Sequence, residues 1–311
     1  MITVGGFNTS VDKTLELDLL RPGEVHRVRR VQSWPGGKGL HVALTVAALG
    51  EPVRLVGLID AAHRSEFVDA LGARGVAFVG VETKGALRTC LAVRDQGGAR
   101  ITEILEPGPA LEPATRDELR SRFLSLARDS ALAVLSGSTP PGFPDGAYGE
   151  LVASLREAKV RCLVDASGER LRLAVEARPF LVKPNREEAE ALSGQTIDGP
   201  PAAARVARAL AARGVEMPVV SLGAAGAVAV YEGRAAYAWV SVPAAAHPVG
   251  SGDCLLGGLA VALARGEAHE DVLRLGVACG AANTLRPETG WVRREDVDAL
   301  RPQVASAWID P

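Results

Sequence analysis

Near the end of the chain, Pro248-Val249-Gly250-Ser251-Gly252-Asp253 runs straight into the small, apolar stretch Cys254–Arg265. A glycine-rich turn that opens a helix leaves several N–H groups pointing outward at the positive end of the helix dipole, which suits an anion. Glycine lets phosphate-like oxygens approach the backbone and permits a positive φ. Asp253 stands at the mouth of this loop. A carboxylate there can accept the proton of an attacking hydroxyl while the backbone of Gly250, Ser251 and Gly252 holds a phosphoryl group in flight. The same residues also read as a plain turn with an aspartate in the first helical turn.

Two early segments offer other groups. Phe7-Asn8-Thr9-Ser10-Val11-Asp12 follows the first strand-like run. An aspartate at the carboxyl end of a strand can accept hydrogen bonds from two hydroxyls of a polyol, or as a turn residue it can bond its own backbone. Trp34-Pro35-Gly36-Gly37-Lys38-Gly39-Leu40-His41 is a second glycine-rich helix entry. It presents backbone donors, one cation at Lys38 and a hydrogen-bonding ring at His41, which suits an anionic or polyol ligand; the alternative is a tight turn with a solvated lysine. Arg27 and Arg88, taken alone, read as solvated charges.

Later motifs are individually ambiguous. Lys183-Pro184-Asn185-Arg186-Glu187-Glu188 leaves a strand and opens a helix, and the spacing of Asn185 and Glu188 is close to that of a helix capping box. Ser221-Leu222-Gly223-Ala224-Ala225-Gly226 reads by itself as a hairpin turn, and Gly280-Ala281-Ala282-Asn283 as close helix packing.

Taken in order, these motifs resemble the ribokinase-like (PfkB) carbohydrate kinase family over nearly the whole chain, in particular its 1-phosphofructokinase and tagatose-6-phosphate kinase branch. The resemblance implies a three-layer α/β fold with a central, mostly parallel sheet and a small β lid. It implies that Asp253 is the catalytic base and that the Gly250–Asp253 amides form an anion hole. Asp12, Gly36, Gly37, Lys38 and His41 would face the sugar, and Arg27, Arg88 and Ser138 its phosphate. Lys183, Asn185, Ser221, Gly223, Gly226, Gly252 and Asn283 would face ATP, and Asn185 and Glu188 would hold Mg²⁺ through water. It also implies a homodimer pairing through the lids. The chain departs from the branch at Thr9 and Ser10, at His41 where asparagine is common, at Ala92 where lysine is frequent, and at His247, to which no role is assigned. Lys38, Arg27 and Arg88 favour a phosphosugar over a neutral sugar. Fructose 1-phosphate leads, ahead of tagatose 6-phosphate and fructose 6-phosphate, then a neutral sugar, then a non-catalytic sugar sensor. A dinucleotide oxidoreductase would want Gly-x-Gly-x-x-Gly after the first strand, which Gly5-Gly6-Phe7-Asn8 does not supply.

These groups need elements to hold them. Short β-branched runs at 53–58, 131–136, 160–165, 180–183 and 218–222 alternate with helical stretches at 39–49, 113–127, 146–158, 187–193 and 201–213. Strand–helix alternation implies a parallel sheet covered on both faces. Residues 14–34 and 88–105 break the rhythm. They suit antiparallel strands outside the main sheet, with turns at Arg21–Gly23 and Gln96–Gly98, so the expected lid spans about 12–34 and 87–107 of one kinase domain over 1–311.

Bulk properties narrow the function classes. With 47% hydrophobic and 23% charged residues the chain can fill a core. A net charge of −2 creates no global field toward nucleic acid or an anionic membrane. The four cysteines are far apart, which argues for reduced thiols rather than a disulfide framework or zinc site. The N-terminus enters a strand at once, and the expected location is cytoplasmic.

Overall fold

The apolar runs expected as strands lie side by side in the computed structural model, which describes every residue except 96–99, 243–247, 287 and 311. The first half holds β1 (Ile2–Gly5), β2 (Ser10–Leu17), β3 (Arg30–Gly36), α1 (Lys38–Ala48), β4 (Val53–Ile59), α2 (Arg64–Gly72), β5 (Val76–Glu82), β6 (Arg88–Asp95), β7 (Arg100–Leu105), α3 (Pro113–Arg128), β8 (Leu132–Ser136) and α4 (Ala147–Glu157). The second half holds β9 (Cys162–Asp165), α5 (Gly168–Glu176), β10 (Leu181–Val182), α6 (Arg186–Ser193), α7 (Pro200–Ala212), β11 (Met217–Ser221), β12 (Ala227–Tyr231), β13 (Arg234–Trp239), α8 (Ser251–Arg265), α9 (His269–Asn283), α10 (Arg294–Leu300) and β14 (Ala305–Ile309).

Ten strands form one sheet in the order β14-β13-β12-β11-β10-β9-β8-β1-β4-β5. From β11 to β5 every neighbour is parallel, and β12, β13 and β14 add an antiparallel edge. The parallel strands β1, β8 and β9 are buried at every position, as strands covered on both faces must be. Helices α3, α4, α5 and α7 make one covering layer and α1, α8 and α9 the other. Eleven residues of α8 are buried, so this helix runs through the protein rather than over it. Phe7 packs edge-on against Phe123 and stacks on Phe143, both at 5.5 Å between ring centroids. Beside them Tyr148 donates its hydroxyl to Gly137 O at 3.1 Å, tying the core to the Ser136–Ser138 turn.

The two rhythm-breaking stretches do form a separate sheet, in the order β3-β2-β6-β7. Its pairing corrects the expectation. The outer pairs are antiparallel, but the central pair, β2 with β6, is parallel from Ser10↔Arg88 to Leu17↔Asp95. Both strands leave the large sheet in the same direction, after β1 and β5, so they reach the small sheet side by side. Asp12 likewise lies inside β2, beyond the end of the first strand. The turn at Arg21–Gly23 is present, with Glu24 N–H donating to Arg21 O at 3.3 Å and Gly23 at φ +85; the turn at Gln96–Gly98 lies outside the described residues. All four cysteines are free thiols. Among the described residues no helix is long and apolar enough to cross a membrane.

Candidate active site

Side chains alternate along a strand and cross-strand partners share a face, so Ser10, Asp12, Arg88, Cys90, Glu103 and Leu105 point to one side of the small sheet. That side closes a cleft of about 980 Å³. The opposite wall is made by the carboxyl ends of β9, β10 and β11, the start of α1 and the loop that opens α8. Crevices outside strand carboxyl ends are where α/β folds place ligands.

Asp253 is 6% exposed and lies in the first turn of α8. Its Oδ2 is 3.0 Å from His41 Nδ1. The loop before it depends on two glycines in contact. Gly250 caps the helix at φ +83, and a Cβ there would come 2.4 Å from the backbone nitrogen of Gly290. Within the loop, Ser251 and Asp253 N–H groups close turns on Pro248 O and Gly250 O, both at 3.1 Å, and Gly252 N–H makes no such turn among the described residues.

On the side expected to face a sugar, Ser10 Oγ donates to Asp12 Oδ1 at 2.6 Å, and His41 Nε2 lies 3.5 Å from Asp12 Oδ2. Burial alone would raise the Asp12 pKa, but the hydrogen bonds and charge of His41, with Ser10 and Arg88, hold it below the usual carboxylate value. Gly36 does not line the cleft; it makes room for this carboxylate, because a Cβ there would fall 2.0 Å from Asp12 Cγ. Gly37, Lys38 and His41 do line it. Arg88 also lines it, anchored by Nε to Asn8 O at 3.1 Å and Nη1 to Glu106 O at 3.3 Å. Ser138 Oγ accepts from Asn8 Nδ2 at 3.0 Å at the cleft edge. Arg27 is exposed on the link between β2 and β3 and is absent from the cleft wall.

The opposite end gathers Lys183, Asn185, Glu188, Ser221, Gly223 and Gly226. Lys183 is 3% exposed, with Nζ 3.3 Å from Asp165 Oδ1. Asn185 and Glu188 form the capping box in full: Glu188 N–H donates to Asn185 Oδ1 at 2.8 Å and Asn185 N–H to Glu188 Oε2 at 2.9 Å. The Ser221–Gly226 turn does link a β11–β12 hairpin. Asn283 corrects the expectation. It is fully buried and turns away from the cleft, its Nδ2 donating to Val249 O at 2.8 Å and to Ser251 Oγ at 3.0 Å. It holds the glycine loop that opens α8 from behind, while Gly280 and Ala281 reach the cleft wall. His247 lies outside the described residues.

Three cleft or near-cleft groups were not read from the sequence. Asp165 ends β9, 1% exposed, and with Asp253, Glu188 and Glu103 it holds the Lys38 ammonium well above the usual lysine range against its partial burial. An aspartate closing a buried parallel strand was the available signal. Glu103, on β7, faces the cleft directly across from Ala92; desolvation first, then Asp12 and Asp253, push its pKa up. Gly290, at φ +67, lies against the His41 ring.

A carboxylate at the mouth of a glycine-rich helix entry, with cations on both sides of one cleft, is equipped for phosphoryl transfer to a hydroxyl. The sequence profile described as pfkB family carbohydrate kinase matches residues 4–292. The chain belongs to the pfkB carbohydrate kinase family. It is 33% identical to a 1-phosphofructokinase of Xanthomonas campestris, over 97% of this chain and 96% of that enzyme. It is 30% identical to a tagatose-6-phosphate kinase of Staphylococcus epidermidis, over 98% of each. Among solved structures, phosphofructokinase-2 from Escherichia coli in complex with substrates and products superposes with a TM-score of 0.91 at 28% identity, covering 97% of this chain and 98% of that one. As a pfkB kinase the chain is an ATP-dependent phosphotransferase, and its cleft brings Asp253, Lys38 and Lys183 within one enclosure.

Proposed function

We propose that this pfkB kinase transfers the terminal phosphoryl group of ATP to a phosphosugar, with fructose 1-phosphate converted to fructose 1,6-bisphosphate. The observation that carries the reading is that Asp253 lines the same cleft as Arg88, Lys38 and Asp12 and as Lys183, Asn185 and Ser221. Asp12 orients the sugar hydroxyls and Arg88 takes its phosphate, with Ser138 beside it. The free hydroxyl attacks the γ-phosphorus in line, the bond to the departing ADP oxygen breaks, and the hydroxyl proton passes to Asp253. The Gly252 amide, which closes no turn within the loop among the described residues, and the ammonium of Lys183 balance the charge in flight. The residues fit a magnesium ion: Glu188 keeps one carboxylate oxygen beyond its capping bond, and such an ion needs few protein ligands. Bound through water to Asn185 and Glu188, Mg²⁺ would neutralise nucleotide phosphate charge.

In this reading the small sheet is a lid whose closure excludes water. The cross-strand pattern puts Val31 and Ile104 on its other face, 53% and 54% exposed. That apolar surface supports pairing of two copies through their lids, and the enzyme works in the cytoplasm. A second reading, a neutral-sugar kinase, draws support from Glu103 facing the cleft opposite Ala92, where a cation would suit a phosphate better.

An ADP-release assay over fructose 1-phosphate, tagatose 6-phosphate, fructose 6-phosphate, fructose and ribose tests the proposal. The expected result is highest kcat/KM with fructose 1-phosphate. Preference for fructose or ribose would replace it with the neutral-sugar reading, and no ADP release with any of the five would overturn the substrate assignment.

A further inference from the structure

His41 touches both carboxylates on which the proposed chemistry depends. Its Nδ1 is 3.0 Å from Asp253 Oδ2 and its Nε2 is 3.5 Å from Asp12 Oδ2, and the residue is 6% exposed. Nε2 is buried and makes no hydrogen bond among the described residues, so its facing group is Asp12, at ion-pair distance. We propose that His41 is a positioning residue acting as a cation, an imidazolium clamped between the proton acceptor and the sugar-orienting carboxylate so that the two keep one fixed relation. The inference deepens the reading above and rests on it.

A neutral imidazole carries one N–H and must turn a lone pair toward one of its two carboxylates; a doubly protonated ring donates to both. The ring has little freedom to escape. His41 is 6% exposed, and a Cβ on Gly290 would fall 2.1 Å from His41 Cγ. The charged and titratable groups around it are Asp253 and the Cys254 thiol of α8, Asp12 of β2, Glu103 of β7, Arg88 of β6 and Lys38 of α1. Burial alone would lower the pKa of the ring, but Asp12 and Asp253 outweigh it and raise it to about 9. With Asp253 Oδ2 held by His41, Oδ1 is left for the acceptor hydroxyl. Without the positive ring, the buried Asp253 and the half-buried Asp12 lose the cation lying between them, and Ser10, Arg88 and Lys38 are left to balance their charge.

The first test is the pH dependence of kcat in the full chain and in His41→Asn, a neutral side chain that still hydrogen-bonds. The expected wild-type kcat falls as pH rises through about 9. The variant should turn over roughly tenfold more slowly at neutral pH and lack that alkaline limb. The same limb in both proteins overturns the clamp. A second readout needs no turnover: ¹⁵N imidazole resonances of the histidine-labelled chain, with His41 assigned as the signal missing from the variant. Both ring nitrogens should be protonated at neutral pH, with a midpoint near 9; a ring already neutral there overturns the proposal. If no sugar is phosphorylated but the ring titrates near 9, the substrate reading fails and the clamp stands.

Discussion

Asp253 and Arg88 face the same cleft and are proposed to carry different parts of the reaction, which separate substitutions read apart. Asp253→Asn keeps the shape of the loop and removes the proton acceptor. Nucleotide binding, measured by thermal shift, should hardly change while turnover falls by about two to four orders of magnitude. Near-normal turnover would discard Asp253 as the base. Arg88 is fixed by two backbone carbonyls, so its loss should be local. Arg88→Ala is expected to raise KM for the phosphosugar about tenfold or more with little change for ATP, since a guanidinium binds phosphate through paired charge-assisted bonds. Equal rises in both KM values would undo that assignment. Residue types and their spacing singled out Asp253, Asp12 and Lys38, and the family resemblance added Arg88. The reason for Gly36 was not readable, because the Asp12 carboxylate it admits comes from a neighbouring strand.

The helix entry at Asn185 is structural and proposed to be functional at once, and the two roles can be separated. Asn185→Ala loses the cap of α6 and should cost about 1 kcal/mol, whereas Asn185→Ser keeps a capping oxygen. If the side-chain amide also holds the water shell of Mg²⁺, both variants should need more magnesium for half-maximal turnover, and the Ala variant alone should melt earlier. Unchanged magnesium dependence in both leaves the residue a helix cap. The capping spacing was legible because it is a contact three residues long. Longer-range relations were not. The parallel β2–β6 pair joins segments with β3, α1, β4, α2 and β5 between them in the chain, and β5, α5 and β14 escaped notice because short or weakly patterned runs take their form from neighbours already in place.

For the molecule as a whole, the buried His41 and the half-buried Asp12 tie stability to pH. His41 has a folded pKa raised from 6.5 to about 9, so its contribution is full below the unfolded value and is lost as pH rises through about 9. Asp12 has a folded pKa lowered from 3.8, so its contribution is present above that value and lost as pH falls through the lower one. The melting temperature of the unliganded chain should therefore decline between pH 6.5 and 9, and His41→Asn should flatten that slope; calorimetry in buffers of matched ionic strength measures it, and equal slopes would count against the linkage. The sequence by itself determined the α/β class, the order of the motifs and the chemistry each could supply, because these are set by periodicity and by residue types over short spans. Only the tertiary structure decided that Asn283 backs the glycine loop that opens α8, that Asp165 and Glu103 join the cleft, and that one histidine ring spans the two carboxylates. Such contacts depend on where separate elements come to rest against each other, and that is fixed by packing of the whole chain.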